Sequence, residues 1–237
     1  MAQQKWLEDI IASCCLTPEV EDYFLGRGGK EETLQAEGIT TWQSTREAIP
    51  NTEFQQRYGP RGEKLNGMLI CPVRSPKGIL IGFEGRSIQR KYITDYRLPE
   101  EKWNPFFLGM TAAMAKVWAG GDVWITEGLF DKCPLEWAVP TTDAVLATVR
   151  AALSDKHVEF LTRFCQGTVH MVYDRDETGR KATTGWFDET GKRRLGALEK
   201  LRRAGVKCVD VSYSGGKDPG VIWDKGGAEA VRAIFRP

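Results

Sequence analysis

Two stretches of this 237-residue chain bring together side chains that can do chemistry. The first is Asp122-Val-Trp-Ile-Thr-Glu127-Gly128-Leu-Phe-Asp131. The second is Val169-His-Met-Val-Tyr-Asp174-Arg175-Asp176-Glu177-Thr-Gly179-Arg180-Lys181. Both run from a short apolar segment into carboxylates, with glycine close behind and an amphipathic segment after it. Apolar runs of this length rich in Val, Ile and Trp read as buried strands. A polar residue plus Gly at the end of such a run sits at the strand's C-terminal edge, where open α/β sheets hold ligands. Glu127, Asp174 and Asp176 would then share one crevice, where they repel one another unless something positive lies between them; a hard divalent cation such as Mg²⁺ is the usual solution. A lone Asp or Glu at a strand end is a common turn former or helix cap. The signal here is the pair of runs, in this order, with a further strand and helix between them.

The elements that must position these residues follow from periodicity. The pattern predicts strands over 123–126, 144–147, 169–173 and 207–212, and helices over 129–138, 154–165, 178–183 and 193–204, an alternation that argues for a parallel sheet with helices on both faces. A helix over 110–119 ends at Gly120-Gly121, and Asp224 to Phe235 reads as one final helix with Gly226-Gly227 near its start. Residues 5–48 read as helical, with Trp6, Leu7, Ile10, Ile11 and Cys14 at helical spacing and Thr17-Pro18-Glu19 as a helix start. From Asn51 to Thr94 the pattern changes to short strands, with Met68–Val73 and Gly78–Phe83 joined by a turn at Arg74-Ser-Pro-Lys-Gly. Arg57, Arg61, Lys64, Arg74, Lys77, Arg86, Arg90 and Lys91 gather there, interleaved with Tyr58, Phe83, Tyr92 and Tyr96. Such a cluster is either a solvated face or a surface for single-stranded nucleic acid, whose phosphates need cations and whose bases need flat partners. The fold class is α/β: an α+β N-terminal basic subdomain over 1–118, a domain with a mostly parallel central sheet over 119–216, and a C-terminal helix over 217–237.

Composition narrows the classes. An apolar share of 41% is enough for a real core, and a net charge of +1 makes any nucleic-acid surface a local patch. No run of about 18 apolar residues occurs and the start lacks a signal-peptide pattern, so a cytoplasmic protein with no membrane partner is expected. The six cysteines form no Cys-x-x-Cys pair and the only histidines are His157 and His170. No zinc is therefore expected, and the thiols should be reduced and mostly buried.

On these residues the sequence resembles the Toprim domain shared by bacterial-type primases, topoisomerases and some nucleases. Glu127 matches its strand-end glutamate and Asp174-x-Asp176 its paired aspartates. The wording is closest to the bacterial and phage DNA primases: Glu127-Gly-Leu-Phe-Asp131 is similar to their Glu-Gly-x-x-Asp, and Asp174-Arg-Asp-Glu-Thr-Gly-Arg-Lys-Ala182 to their Asp-x-Asp-x-Ala-Gly-x-x-Ala, with Thr178 in place of Ala. Leu69-Ile-Cys-Pro-Val-Arg, Gly82-Phe-Glu-Gly-Arg86 and Arg90-Lys91-Tyr92 resemble further primase phrases, with Glu84 where the family has glycine. Trp103-Asn-Pro-Phe-Phe-Leu-Gly109 replaces a Lys-Gly phrase, and Val149-Arg150 replaces Gly-Thr. Thr184-Gly-Trp-Phe-Asp-Glu-Thr-Gly191 is an insertion, a surface turn or a partner-binding lip.

The resemblance implies a catalytic core that synthesises short RNA primers on single-stranded DNA from ribonucleoside triphosphates for DNA replication. It implies Mg²⁺ or Mn²⁺ held by Glu127, Asp174 and Asp176, with Asp131 and Asp218 as outer or alternate ligands. Arg61, Arg74, Arg86, Lys91, Tyr92, Arg175, Arg180 and Lys181 become candidates for nucleic-acid or nucleotide contact. A replicative helicase and a separate zinc-binding module are the expected partners, because the modules that carry those roles in the family are not in this sequence. The chain is then either an excised fragment or a compact, phage-borne primase that works in its host's cytoplasm. A Toprim nuclease and a non-catalytic single-stranded-DNA-binding subunit remain as alternatives.

Overall fold

The computed structural model describes residues 2–149 and 152–235. The chain divides into two compact units, one of residues 1–26 and 30–104, the other of residues 27–29 and 105–237.

The first unit is built around aromatic side chains. Helices α1 (Ala2–Ser13), α2 (Pro18–Gly26) and α3 (Glu31–Glu37) precede strand β1 (Thr40–Thr41), helix α4 (Thr52–Tyr58) and strands β2 (Leu69–Arg74), β3 (Leu80–Arg86) and β4 (Ile93–Arg97). The strands form an antiparallel sheet in chain order. Helix α4 starts at Asn51, whose Oδ1 accepts the Phe54 N–H at 2.7 Å and so satisfies one of the helix's unpaired donors. Behind the sheet, Trp6, Trp42, Phe54, Tyr58, Phe83 and Tyr96 are almost fully buried together. Ring centroids lie 4.8 Å apart for Phe54 and Tyr58 and 5.0 Å for Phe54 and Tyr96, the range in which aromatic pairs attract beyond simple area burial. The helical reading of 5–48 fails at Thr40–Thr41, which pair with Leu69 and Ile70; two β-branched residues cover the sheet edge better than they would extend a helix. Tyr58, Phe83 and Tyr96 belong to this core, so they are no stacking surface for bases. Among the four interleaved aromatics only Tyr92 is exposed, at 42%.

The second unit holds the parallel sheet. Helix α5 (Met110–Trp118) leads to strand β5 (Val123–Thr126), helix α6 (Leu129–Leu135), strand β6 (Ala144–Ala147), helix α7 (Asp155–Phe164), strand β7 (Val169–Met171) and helix α8 (Glu177–Thr184). A two-stranded hairpin of β8 (Gly185–Phe187) and β9 (Arg193–Leu195) follows, then helix α9 (Ala197–Arg203), strand β10 (Cys208–Asp210) and helix α10 (Pro219–Phe235). The sheet order is β10-β7-β5-β6, all parallel. One face packs on α5, α7, α8 and α9 through Val123, Ile125, Leu146 and Met171, the other on α6 and α10 through Trp124, Val145 and Val172. Strands apolar on both faces are what a sheet covered on both sides requires. The helix expected from 193 begins only at Ala197, because Arg193–Leu195 pair with Gly185–Phe187. The last helix starts five residues early, at Pro219, and is broken at Gly226-Gly227, where the backbone leaves helical angles. His157 is buried beside the start of α7, where its backbone N–H completes the Ser154 cap and its Nε2 accepts the Phe106 N–H. No helix among the described residues is long and apolar enough to cross a membrane.

Candidate metal site

The carboxylates converge because two neighbouring strands, β5 and β7, end beside the starts of helices α6 and α10. Strands β5 and β7 are hydrogen-bonded neighbours with Ile125 opposite Met171, so Glu127 and Asp174 leave the sheet next to each other. The Glu127 Oε1 accepts the backbone N–H of Asp174 at 3.2 Å, tying the two strand ends together. Asp131 stands in the first turn of α6, and Asp218 caps α10 by accepting the Val221 N–H at 2.6 Å. The Gly220 N–H of the same turn reaches Asp131 Oδ1 at 3.3 Å. Asp131, Asp174 and Asp218 thereby bring carboxylate oxygens within 4.8 Å of one another. Gly179 is needed at this spot: a Cβ there would lie 2.1 Å from the Asp174 carbonyl oxygen and 2.9 Å from Glu127 Oε1.

Burial and mutual repulsion strain the ionised cluster. Glu127 is pushed up to about 7, first by burial and then by the charges of Asp174 and Asp176. Asp174 is raised too, by burial and by Asp218, against the pull of Lys217. Lys217 is the basic group inside the cluster, its Nζ donating to Asp218 Oδ2 at 2.9 Å and to Asp174 Oδ2 at 3.3 Å. Around that ammonium the oxygens of Asp131, Asp174 and Asp218 converge, with Glu127 beside them. The oxygen donors therefore fit a hard divalent ion, for which one or two carboxylates plus waters and substrate phosphates are the common ligand set. Lys217 was not among the candidates read from sequence; its signal was its place directly before Asp218, a candidate ligand.

The other sequence candidates fall into separate places. Asp176 is exposed and caps α8, accepting the Gly179 N–H at 3.0 Å. Arg175 turns toward β10: its guanidinium lies 3.6 Å from Asp210 and over the Tyr213 ring at 4.6 Å, and it also donates to the Val211 carbonyl, so in this geometry it braces the sheet edge. Arg180 and Lys181 are exposed on α8, Lys181 paired with Glu177 at 2.7 Å. In the first unit Arg61 and Lys91 are exposed, Tyr92 carries the Arg90 guanidinium over its ring at 5.3 Å, and Arg74 donates to the Gly78 carbonyl of its own turn. Arg86 lies 3.7 Å from Glu84, which is buried and pushed up to about 7, by burial first and in spite of Arg86. Val149 has φ of +65°, a backbone region that suits the glycine standing there in the resembling family. Its neighbour Arg150 lies outside the described residues.

Comparison with known proteins bears out the Toprim and primase resemblance. Residues 124–221 match the model of a Toprim-like family. A DNA primase of Deinococcus radiodurans is 25% identical over 219 residues, covering 84% of this chain and 36% of its own length. The chain spans about a third of the length of the curated relatives it matches. The RNA polymerase domain of Mycobacterium tuberculosis primase DnaG superposes with a TM-score of 0.68 at 20% identity, covering 99% of this chain and 82% of that one. A DnaG primase catalytic domain bound to single-stranded DNA gives 0.66 at 18% identity, with 98% and 77% covered. The α/β fold expected from the sequence is the one observed.

Proposed function

We propose that this chain, which carries a Toprim-like domain and has the fold of primase catalytic cores, makes short RNA primers on single-stranded DNA by metal-dependent, template-directed nucleotidyl transfer. The observation that carries the reading is the strand-end cluster of Asp131, Asp174 and Asp218 with Glu127 beside it. Those four residues, with Asp176 at the rim, would hold Mg²⁺ or Mn²⁺. When bound, such ions activate a 3′-hydroxyl and neutralise the triphosphate's leaving oxygen. The chain's own contribution is position and charge. The Asp174 and Gly220 N–H groups fix Glu127 and Asp131, Gly179 keeps the approach to Asp174 open, and Arg180 and Lys181 lie one to two turns along α8 where phosphates of a nucleotide can be met. Arg61, Arg74, Arg86, Lys91 and Tyr92 supply the template surface of the first unit, with phosphate contacts dominating and little sequence information read.

The wider role follows from that core: ribonucleoside triphosphates as substrates, a replicative helicase and a zinc-binding module as partners, and the cytoplasm as the place of work. The test is primer synthesis on an oligonucleotide template with ribonucleoside triphosphates and Mg²⁺ or Mn²⁺. Labelled primers that appear only with metal support the reading. Cleavage of the template without synthesis would assign a Toprim nuclease instead, and binding with neither reaction would assign a DNA-binding subunit.

A further inference from the structure

The β8–β9 hairpin carries an arrangement that the carboxylate site does not use. On its first strand Trp186 is 37% and Phe187 66% exposed, and Arg193 pairs with Phe187 across the hairpin with its guanidinium 5.4 Å from the ring centroid. Phe187 leaves apolar surface in water, whereas Trp186, the next residue of the strand and therefore on the other face of the hairpin, lines a separate pocket with Leu153, Ala182 and Leu195. Alongside runs a groove of about 480 Å³ lined by Thr184, Arg193, Leu198, Glu199, Arg202 and Arg203. Glu199 takes Arg193 at 3.2 Å and Arg203 at 2.7 Å, so it sets both guanidiniums in place while the groove keeps three cations to one anion. From Lys192 to Arg203 the sequence holds six basic residues and one acid, and of the bases Arg194 pairs with Asp188 at 2.8 Å and Lys200 with Asp155 at 3.4 Å, which leaves the excess at the groove itself.

The position relates this surface to the site. Helix α8 is capped by Asp176, two residues after Asp174, and its last residue, Thr184, opens into the groove. Eight residues at ~1.5 Å each put the groove about 12 Å along the helix from the carboxylates. Arg180 is exposed one turn before Thr184, between the carboxylates and the groove in chain order.

We propose that the hairpin and groove form a second contact for a single-stranded polynucleotide, about two to four nucleotides from the carboxylate site. Arg193, Arg202 and Arg203 hold phosphates and Phe187 stacks a base beside them, with Trp186 offering a second flat face on the other side of the hairpin. Bases offer the flat faces these rings need, and stacking tolerates any sequence. An acidic peptide would satisfy the arginines and leave the rings bare. The inference rests on the nucleic-acid reading of the function, but not on catalysis.

The experiment measures binding of labelled oligothymidylates to the full chain by fluorescence anisotropy across a range of salt. The variants are the double substitution Trp186→Ala with Phe187→Ala, the double substitution Arg202→Gln with Arg203→Gln, and Asp174→Asn as a control in the other site. The aromatic pair should weaken binding of a strand of about 12 nucleotides by roughly 5- to 30-fold with little change of salt slope. The arginine pair should lower the slope by roughly 0.7 for each phosphate that is no longer held. Photocrosslinks from 5-bromouracil strands should map to residues 185–195, in wild type and in Asp174→Asn alike. Equal binding by wild type and both double variants, crosslinks only elsewhere, or loss of polyglutamate binding without loss of oligothymidylate binding would each overturn the proposal. Hairpin-dependent binding with no primer synthesis would sink the catalytic reading alone, whereas synthesis with hairpin-independent binding would sink this one alone.

Discussion

Glu84 in the first unit and Glu127 in the second are both pushed up to about 7, and in both burial is the leading cause. Their surroundings then diverge. Glu84 sits in the middle of β3, opposite Cys71 of β2 and Asp95 of β4, with Arg86 alone opposing the burial. Glu127 sits at a strand end, accepts a backbone N–H, and faces Asp174 and Asp176, whose charges add to the burial. Asp95 adds a smaller push in the same direction, and a proton relieves the first, because with Glu84 neutral its neighbours Arg86 and Asp95 supply one cation and one anion. The second stands beside a group of carboxylates whose oxygens lie close enough together to share one cation. The same side chain is thus a local cost in one unit and part of a binding site in the other, and sheet position decides which.

Substitution at the strand end should give the largest effect. Asp174→Asn is expected to lower metal-dependent primer synthesis by at least about 10²-fold, the scale of losing one preorganised electrostatic group at a reacting centre. The urea midpoint should stay level or rise, since one carboxylate fewer relieves repulsion in the cluster. A variant with wild-type synthesis would remove the contrast between the two glutamate settings, because the strand-end acids would then be structural as well.

Glu84 gives the next effect, on stability. Its folded value lies above the ordinary carboxyl value, so the folded state favours the neutral form. Stability from this group is complete below about pH 4.5, declines as the pH rises toward 7, and stays low above that. Moving the carboxyl from its ordinary 4.5 to about 7 makes the loss on the order of 3 kcal/mol. Glu84→Gln keeps the shape without the charge and should remove this fall, so that the variant is more stable than wild type at pH 8 and close to it at pH 4.5. Parallel urea titrations of both proteins at the two values check it; parallel pH profiles would show that Arg86 already neutralises the site.

The contrast also explains what could be read from sequence. Glu127, Asp174 and the strands that carry them were legible because apolar runs ending in acids have one reading in a parallel sheet, and β5 and β6 fall on the expected residues. Asp176 was legible as a position but not as the cap of α8, because the same carboxylate serves either use. Lys217 was illegible as a site residue because its partners Asp174 and Asp218 are brought together only by the order β10-β7-β5-β6. In the first unit, alternation of basic and aromatic residues hid a division between faces: Tyr58, Phe83 and Tyr96 point into the core and Arg61 and Lys91 to solvent. The hairpin at 185–195 was read as an insertion but part of it as helix, since Arg193–Leu195 pair through backbone groups that carry no sequence signature.

A smaller effect tests where strain is stored. In the first unit the described residues with left-handed φ are all glycines, among them Gly62, Gly67 and Gly78, whereas in the second Val149 takes φ of +65° just after β6. A β-branched residue pays about 1–2 kcal/mol for that backbone. Glycine would remove this cost while returning part of it as unfolded-chain entropy. Val149→Gly should therefore stabilise the chain by about 1 kcal/mol in urea titration. A destabilised variant would mean that the valine side chain contributes packing worth more than the strain.

The smallest expected effect sharpens the comparison most, because it separates a cluster that tolerates its own cation from one that waits for another. Lys217 stands 2.9 Å from Asp218 and 3.3 Å from Asp174, held in its charged form chiefly by those carboxylates. A divalent ion at the same oxygens must displace this ammonium or share ligands with it. The lysine side chain is 58% exposed, so water screens the pairs and each is worth no more than about 1 kcal/mol. Lys217→Met should then tighten Mn²⁺ binding by roughly two- to five-fold, measured by titration calorimetry or Mn²⁺ paramagnetic resonance in the absence of nucleotide. Glu84 offers the matching control, since it belongs to no group of three converging ligands among the described residues and Arg86→Met beside it should create no Mn²⁺ site at all. Weaker binding in Lys217→Met would show that the ammonium assembles the carboxylates for the metal, and equal binding in both proteins would place the metal away from Asp174 and Asp218.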